Sequence, residues 1–435
     1  MLTPAQAEEV ASEVYELRSK ESHRLRRIRD HLNGTEQLTW LPVGSPNELQ
    51  ALARLSRIPL LQLVVKNTSQ QLEVDGYTNA NDPEGRTWDV WQTNRFDRKQ
   101  IRVHKDLSKY GAGYVAQWQT TTFVPKMAPF SPLQMTAAFT DDEDWPTYAL
   151  LPRDDGTWWL FDSSEVYVLT KGGRRRNSRQ GRAVVFDYVE QYSHGSDVTP
   201  VVRYLSDEDS DDPVVGDIEP LIPLQAQLNL TSFHLYVAQH YGAHGRRAIV
   251  SHAIKQLRNE LAASGANTLM GIDADPGEVE FKEFSQTDLN GFLRSREATI
   301  DLMASLGQTS IHELTSSMAN LSAAALEESR ESPDRKIAQR KLIVGESHEQ
   351  TLALAGSLLD PPVEFDPSAR VRWKPARTRN MLAVAELVVM LHERLNIPVE
   401  PLIEHLPFDS QDLDEFSRYI RRSPDAVESL PEDSE

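Results

Sequence analysis

The chain has no cysteine among its 435 residues, which excludes a disulfide framework, thiolate metal sites and a cysteine nucleophile, while saying little about compartment. It has no run of about 18 apolar residues, so no membrane-spanning helix is expected. The opening MLTPAQAEEV lacks a charged-then-apolar leader, and a soluble protein made in the cytoplasm is the expectation. Catalytic signatures are missing as well. There is no Gly-x-Ser-x-Gly elbow, no Gly-x-x-x-x-Gly-Lys-Ser/Thr phosphate loop, no His-Glu-x-x-His and no Gly-x-Gly-x-x-Gly after a strand. The sequence therefore predicts a non-enzyme that needs no cofactor. Basic charge is also short: 46 Lys and Arg against 65 Asp and Glu leave a net charge of −19. A nucleic-acid clamp needs a basic stripe to neutralise phosphates. A wall past which DNA slides works better with weak contacts, and the charge does not argue against that.

What the chain does have is helical periodicity towards both ends and strand patterning between, in a length that predicts two or more packed regions. Residues 1–32 read as a charged helix with Val10, Val14, Leu17 and Leu25 near one face. Its Arg24, Arg26, Arg27 and Arg29 suit a solvated face or subunit contact better than a nucleic-acid patch, because Glu and Asp interleave with them. A second helix over 47–71 is interrupted by Pro59, and further helices are predicted at 87–94 and 96–110, ended by Gly111 and Gly113. Strands are predicted at 114–122, 148–152, 157–161, 165–170, 183–189 and 201–205. Six of the eight tryptophans fall between Trp88 and Trp159, a density that suits a strand core better than a stacking platform. The segment KGGRRRNSRQGR (171–182) is the most basic and reads as an exposed hairpin tip. Two acidic runs, one of Asp141, Asp142, Glu143 and Asp144, the other of Asp207, Glu208, Asp209, Asp211 and Asp212, could attract a hard cation. Neither has calcium-loop spacing or a histidine partner, so solvated loops are the better reading. His240 and His244 stand four apart, but Gly242 and Gly245 end the helix there, which weakens a metal reading.

The organising stretch is 217–326: helix, insertion, helix, polar loop, helix. The first helix opens near Pro220 and Pro223, where missing N–H groups cost little. It carries Leu221, Leu224, Leu228, Leu235 and Tyr236 as an apolar stripe, with Ser232 as the weak spot. The second starts near Thr287 and carries Leu289, Phe292, Leu293, Ile300 and Met303. The hairpin has too little partner surface in its own chain for both stripes, so neighbouring subunits are expected to cover the rest. The insertion holds a predicted helix at 253–263 and a strand near 279–284. Arg246, Arg247, Lys255 and Arg258 at its edge face Asp273, Asp275, Glu278 and Glu280 as complementary patches, which suit contacts between ring neighbours. The loop GQTSIHELTSSMA (307–319) is small and polar, with Glu313 as its acidic residue, and fit to flex. Asn320 can cap a long helix in which Pro333 predicts a kink or break. A strand pair near 363–365 and 371–373, a helix over 378–395 and an acidic, disordered tail complete the chain.

The order IEPLIPLQAQLN, an insertion, REATIDLMASLGQT, a small-residue loop and ANLSAAALEES resembles the stem, clip and tunnel-loop region of tailed-phage portal proteins. RIPLLQLVVKNTSQQLEVDGY followed by NRFDRKQIRVHKDLSKYGAGYV is similar to the wing domain of portals from siphophages of actinobacteria, and the likeness runs from about 38 to 402. The resemblance implies an α+β portal fold with a wing (1–216), a stem helix (217–243), a clip (244–286), a second stem helix (287–306), a tunnel loop (307–319), a returning wing segment (320–375) and a helical crown with the tail (376–435). Pro333 departs from the family's continuous helix. The resemblance also implies a homo-oligomeric ring of twelve subunits at the head-tail vertex of a virion, with no membrane. Double-stranded DNA would pass through its channel, weakly bound, and its partners would be the large terminase, the head-tail adaptor, and the major capsid and scaffolding proteins. The channel loop would present Gln308, Thr309, Ser310, His312, Glu313, Thr315, Ser316 and Ser317. The stem interface would use Leu221, Leu228, Leu235, Phe292 and Ile300, and the clip would meet partners through Arg246, Arg247, Lys255, Arg258, Asp273 and Asp275. Two other classes stay open: a metal-dependent intracellular hydrolase or nuclease using the acidic clusters, and a monomeric scaffold or adaptor.

Overall fold

A computed structural model of the protein describes residues 1–38, 40–119, 124–140, 144–177, 181–209, 213–243, 248–250, 270–272, 288–315, 330–374, 381–395 and 398. In chain order its elements are α1 (Pro4–Asn33), α2 (Asn47–Leu55), α3 (Leu60–Ser69), β1 (Val74–Thr78), α4 (Arg86–Thr93), α5 (Phe96–Tyr110), β2 (Ala112–Trp118), β3 (Lys126–Phe130), β4 (Thr136–Ala138), β5 (Tyr148–Pro152), β6 (Thr157–Phe161), β7 (Glu165–Asn177), β8 (Gly181–Ser193) and β9 (Val201–Leu205). There follow α6 (Ile222–Ala243), β10 (Ala248–Val250), β11 (Met270–Ile272), α7 (Asn290–Leu306), α8 (Ile311–Thr315), α9 (Glu331–Ser357), β12 (Arg370–Trp373) and α10 (Met381–Leu395). The chain divides into two compact units. The first takes Met1–Leu25, Lys66–Gly216 and Arg335–Glu435, and the second takes Arg26–Val65 and Asp217–Asp334. Residues 26–65, read from sequence with the N-terminal block, thus group with the helical hairpin.

The first unit is built on two antiparallel sheets, a three-stranded one in the order β3-β2-β9 and a five-stranded meander β4-β5-β6-β7-β8. On the three-stranded sheet, Val115, Met127, Val202 and Tyr204 bury Val103 and Leu107 of α5 together with Val344 and Leu352 of α9, and Trp91 and Phe96 join the same cluster. The meander buries Leu150, Leu160, Tyr167, Leu169 and Phe186 against Ala7, Ala11 and Val14 of α1. Those helix residues recur at three- and four-residue steps, and the alanines let the helix lie close to the sheet. Leu17, expected on that face, is exposed instead. Trp91 is wholly buried, while Trp118, Trp158 and Trp159 are half-buried at the cluster edges.

Several expectations are corrected. The helix over 47–71 is two helices on either side of Pro59. β1, β3 and β4 were not predicted; β3 contains Pro129, tolerated because among the described residues β3 is an edge strand paired with β2 and its other edge needs no donor there. Residues 363–365 form no strand, and β12 pairs antiparallel with β1 instead. The basic segment 171–182 is not a loop over its described part, because β7 runs to Asn177 and β8 starts at Gly181. Of the long helix predicted from Asn320, α9 is described from Glu331 on; Pro333 lies in its first turn, where the missing N–H has no intrahelical partner to lose, and the part of the predicted helix before Arg330 lies outside the described residues. The helix predicted at 253–263, the strand near 279–284, the cap at Asn320 and the C-terminal tail lie outside the described residues.

The second unit packs α6 against α7 and α2. Buried positions on α6 are Ile222, Gln225, Leu228, Asn229, Ser232, Phe233 and Leu235, so the stripe has the expected helical spacing but is partly polar. α7 begins at Asn290 rather than at Thr287, with the Asp288 carboxylate accepting the Asn290 N–H at 2.9 Å. Thr287 lies outside the described residues.

Candidate subunit and channel surfaces

In the second unit, the polar members of the α6 stripe have a structural task. Pro59 interrupts the helical hydrogen bonding between α2 and α3, and the Ile58 carbonyl takes a local bond from the Leu60 N–H at 2.9 Å. Gln225 donates its amide to the Ile58 carbonyl at 2.7 Å and to Asn229 Oδ1 at 2.9 Å, and Asn229 Oδ1 also accepts the Ile58 N–H at 3.2 Å. One helical turn of α6 therefore supplies the Ile58 N–H with an acceptor and the Ile58 carbonyl with a second donor.

The proposed stem residues Leu221, Leu228, Leu235 and Ile300 are all buried by their own chain, and Phe292 is half-buried. The chain itself covers these four positions, while Leu224, Leu289 and Phe292 of the predicted stripes are half-buried and Leu293 is exposed. Among the described residues of α7 the exposed apolar side chains are Leu293, on the Ile300 face, and Leu302 and Leu306, one turn apart on another face, 47% and 59% exposed. Leu302 and Leu306 lie off the face shared by Ile300 and Met303, which is the face the apolar pattern marks. The signal was present in the spacing of four.

At the end of α7 the backbone closes in a Schellman pattern, with Thr309 N–H donating to Ala304 O at 2.9 Å and Gln308 N–H donating to Ser305 O at 3.2 Å. The left-handed position belongs to Gln308, at φ 47°, a place where glycine is usual. Gly307 sits one residue earlier, where an added Cβ would lie 3.2 Å from Leu221 Cδ1. Of the proposed channel residues, Gln308 is exposed and His312 half-buried, while Thr309 and Ser310 are buried. The expected free loop is corrected in part, because Ile311–Thr315 is helical and Leu314 is buried. The side chains of Glu313 and Thr315 lie outside the described residues, as do Ser316 and Ser317 altogether. So do Arg246, Arg247, Lys255, Arg258, Asp273 and Asp275; of the insertion, the parallel pair β10 and β11 is described.

The first unit holds a buried polar chain at the junction of α5, α9 and β9. His104 Nε2 and His348 Nε2 are 3.0 Å apart, Tyr204 Oη is 3.1 Å from His348 Nδ1 and 2.6 Å from Thr351 Oγ1, and the Thr351 hydroxyl donates to Ser347 O at 2.8 Å. One direction satisfies these four links with neutral rings: His104 donates to His348, His348 to Tyr204, Tyr204 to Thr351 and Thr351 to Ser347. Burial pushes His104 down to about 3, with the Arg340 charge adding to it against the Leu72 backbone. Burial and then the neighbouring ring push His348 well below the usual imidazole range.

Beside α9 the same unit opens a groove of about 680 Å³. Trp145, Val198 and Phe365 are among its apolar residues, and Asp197, Glu346 and Asp366 among its carboxylates. Among the described residues no group of three or more His, Asp or Glu is placed to hold a metal ion. His240 is paired with Glu48, and His244 lies outside the described residues. Among the described residues no helix is long and apolar enough to cross a membrane.

The family model described as "Phage portal protein, SPP1 Gp6-like" matches residues 16–423. No curated protein matches the chain. Among solved structures, a chain in the virion of a native gene transfer agent (GTA) particle is 15% identical, with 82% of this chain and 91% of that one covered at a TM-score of 0.40. A chain in the neck of the native GTA particle computed with C12 symmetry is also 15% identical, with the same coverages and a TM-score of 0.41. One in the neck of the empty particle computed with C6 symmetry is 14% identical, again with the same coverages, at 0.39.

Proposed function

The chain belongs to the SPP1 Gp6-like phage portal protein family, and from that premise we propose that it assembles head to tail into a closed ring, of twelve subunits, at the head vertex of a phage-like particle. The observation that carries the reading is the extent of the family match, 16–423, which takes in both units, the α6–α7 hairpin and the insertion between its helices. The family is structural rather than enzymatic. The ring is a conduit through which double-stranded DNA enters during packaging and leaves at ejection, and the particle type is that of siphophages infecting actinobacteria. The insertion 244–286 is the docking platform for the large terminase and later for the head-tail adaptor, and the outer parts meet capsid and scaffolding proteins. Gln308, exposed in a left-handed conformation that costs a non-glycine residue about 1 kcal/mol, is the best-supported channel residue. Leu302 and Leu306 supply the apolar contact to the neighbouring stem.

Purified protein examined by light scattering and negative-stain microscopy tests this. The expected result is a closed ring with a central channel; a monomer or dimer at all concentrations overturns it.

A further inference from the structure

The three-stranded sheet of the first unit carries opposite charge at its two edges. β3 lies at one edge and β9 at the other, two strand spacings, about 10 Å, apart. At the β3 edge, Lys126 belongs to a cluster with Arg98, Lys99 and Arg102 of α5. The four cations sit near enough that the other three, after burial, pull Lys99 down to about 8. Lys99 donates to Met127 O at 2.7 Å, and none of the four forms an ion pair among the described residues. The two carboxylates of α5 are taken up locally, Asp97 by the Trp91 indole at 2.7 Å and Asp106 by Lys109 at 3.2 Å. Within the basic face lies Ile101, 43% exposed and one turn from both Arg98 and Lys105. In a chain of net charge −19 this is an unusual surface.

At the β9 edge lies the groove, whose lining includes Arg203 and Leu205 of β9 and the outer face of α9. Its apolar part includes Phe365, 73% exposed. Asp197 and Glu346 on its rim are exposed and form no ion pair among the described residues. Glu349 and Asp366 are already engaged, the first by the Val371 N–H at 3.1 Å and Arg370 at 3.4 Å, the second by the Ala80 N–H at 2.8 Å. α5 and α9 meet each other through the His104–His348 contact, so their free faces are turned to different neighbours.

We propose that the basic α5 face of one copy, centred on Arg98, Ile101 and Arg102, docks into the acidic groove beside α9 of the next copy. A face and a groove at opposite edges of one sheet form a heterologous contact, the kind that closes into a ring when the rotation permits. Ile101 supplies an apolar knob for the groove, and the surrounding charges fix which surface meets which. The second copy is the occupant because the complementary face is in the same chain, at the opposite edge of the same sheet. This inference rests on the ring reading above.

Arg98→Glu with Arg102→Glu, and separately Asp197→Lys with Glu346→Lys, place like charges opposite each other at an exposed contact. Each pair of changes is expected to raise the protein concentration for half-maximal ring assembly at least about tenfold, roughly 1.4 kcal/mol, with circular dichroism and melting unchanged. A chain carrying all four changes is expected to assemble within about threefold of the parent, because the charges are complementary again. Parental rings whose assembly is indifferent to both pairs overturn this inference alone. So does loss with the α5 pair that the groove pair neither reproduces nor rescues, which would assign the basic face to some other acidic surface. A parental chain that never exceeds a monomer or dimer overturns the ring reading and this inference with it.

Discussion

The His104–His348 pair holds its place only while both rings are neutral, because an imidazolium there would be a charge stripped of water. Burial holds both rings below the ordinary value of 6.5, His104 at about 3. The unfolded chain therefore takes up protons below pH 6.5 that the folded chain refuses. Stability is complete above that pH and is lost as pH falls towards 3, by up to about 1.4 kcal/mol per pH unit for each ring. The midpoint of urea unfolding is expected to drop between pH 7.5 and pH 5 in the parent. It should drop less in a chain with His104→Leu and His348→Leu, where Tyr204 keeps its Thr351 partner. Equal slopes in the two proteins would show that the pair does not carry the acid sensitivity.

At the scale of elements, burial separates folding from assembly. Leu228 is wholly buried inside its own unit, so Leu228→Asp puts a carboxylate into the core and is expected to cost at least about 3 kcal/mol and unfold that unit. Leu302→Asp with Leu306→Asp changes an exposed pair and is expected to leave stability within about 0.5 kcal/mol while preventing ring assembly. Thermal melting and light scattering on the same samples check both, and rings that persist in the Leu302 and Leu306 variant would remove that pair from the interface. The same distinction explains what was legible in the sequence. α5 was read at its true limits because its apolar spacing is strong and Gly111, at φ 85°, stops it with a residue suited to the left-handed turn. β5, β6 and β9 were read correctly from aromatic and β-branched runs. β1 was invisible because VDGYT contains Asp and Gly, and its partner β12 lies nearly 300 residues away, a pairing that local patterning cannot report (Val74 opposite Trp373). The stem stripe was visible, but which chain covers it depends on α2, brought to α6 by tertiary packing. Gln225 and Asn229 read as polar residues on a helix, and only the break at Ile58 and Pro59 reveals what they satisfy.

For the whole molecule, the proposed ring would repeat the charge of −19 in every copy, so its wall would repel duplex phosphates except where neutral residues faced them. Purified rings are expected to show little duplex affinity at physiological salt in a filter or gel assay. Tight binding that weakens steeply with salt would contradict a conduit. The proposed channel contact is then best tested at one position, since Thr309, Ser310 and Leu314 are packed into their own unit and replacing the whole segment would disturb the fold. Gln308→Gly removes the exposed side chain and at the same time relieves a left-handed strain of about 1 kcal/mol, which the greater freedom of glycine in the unfolded chain offsets only partly. Melting temperature should hold or rise, and rings should form as in the parent. If many copies of Gln308 follow the DNA surface, each with a contact weak enough to break as the duplex advances, the variant particles should package less DNA or retain it less well. Packaging and retention at the parental level in a fully assembled, equally stable ring would remove Gln308 from the channel and leave its conformation as a feature of the helix cap alone.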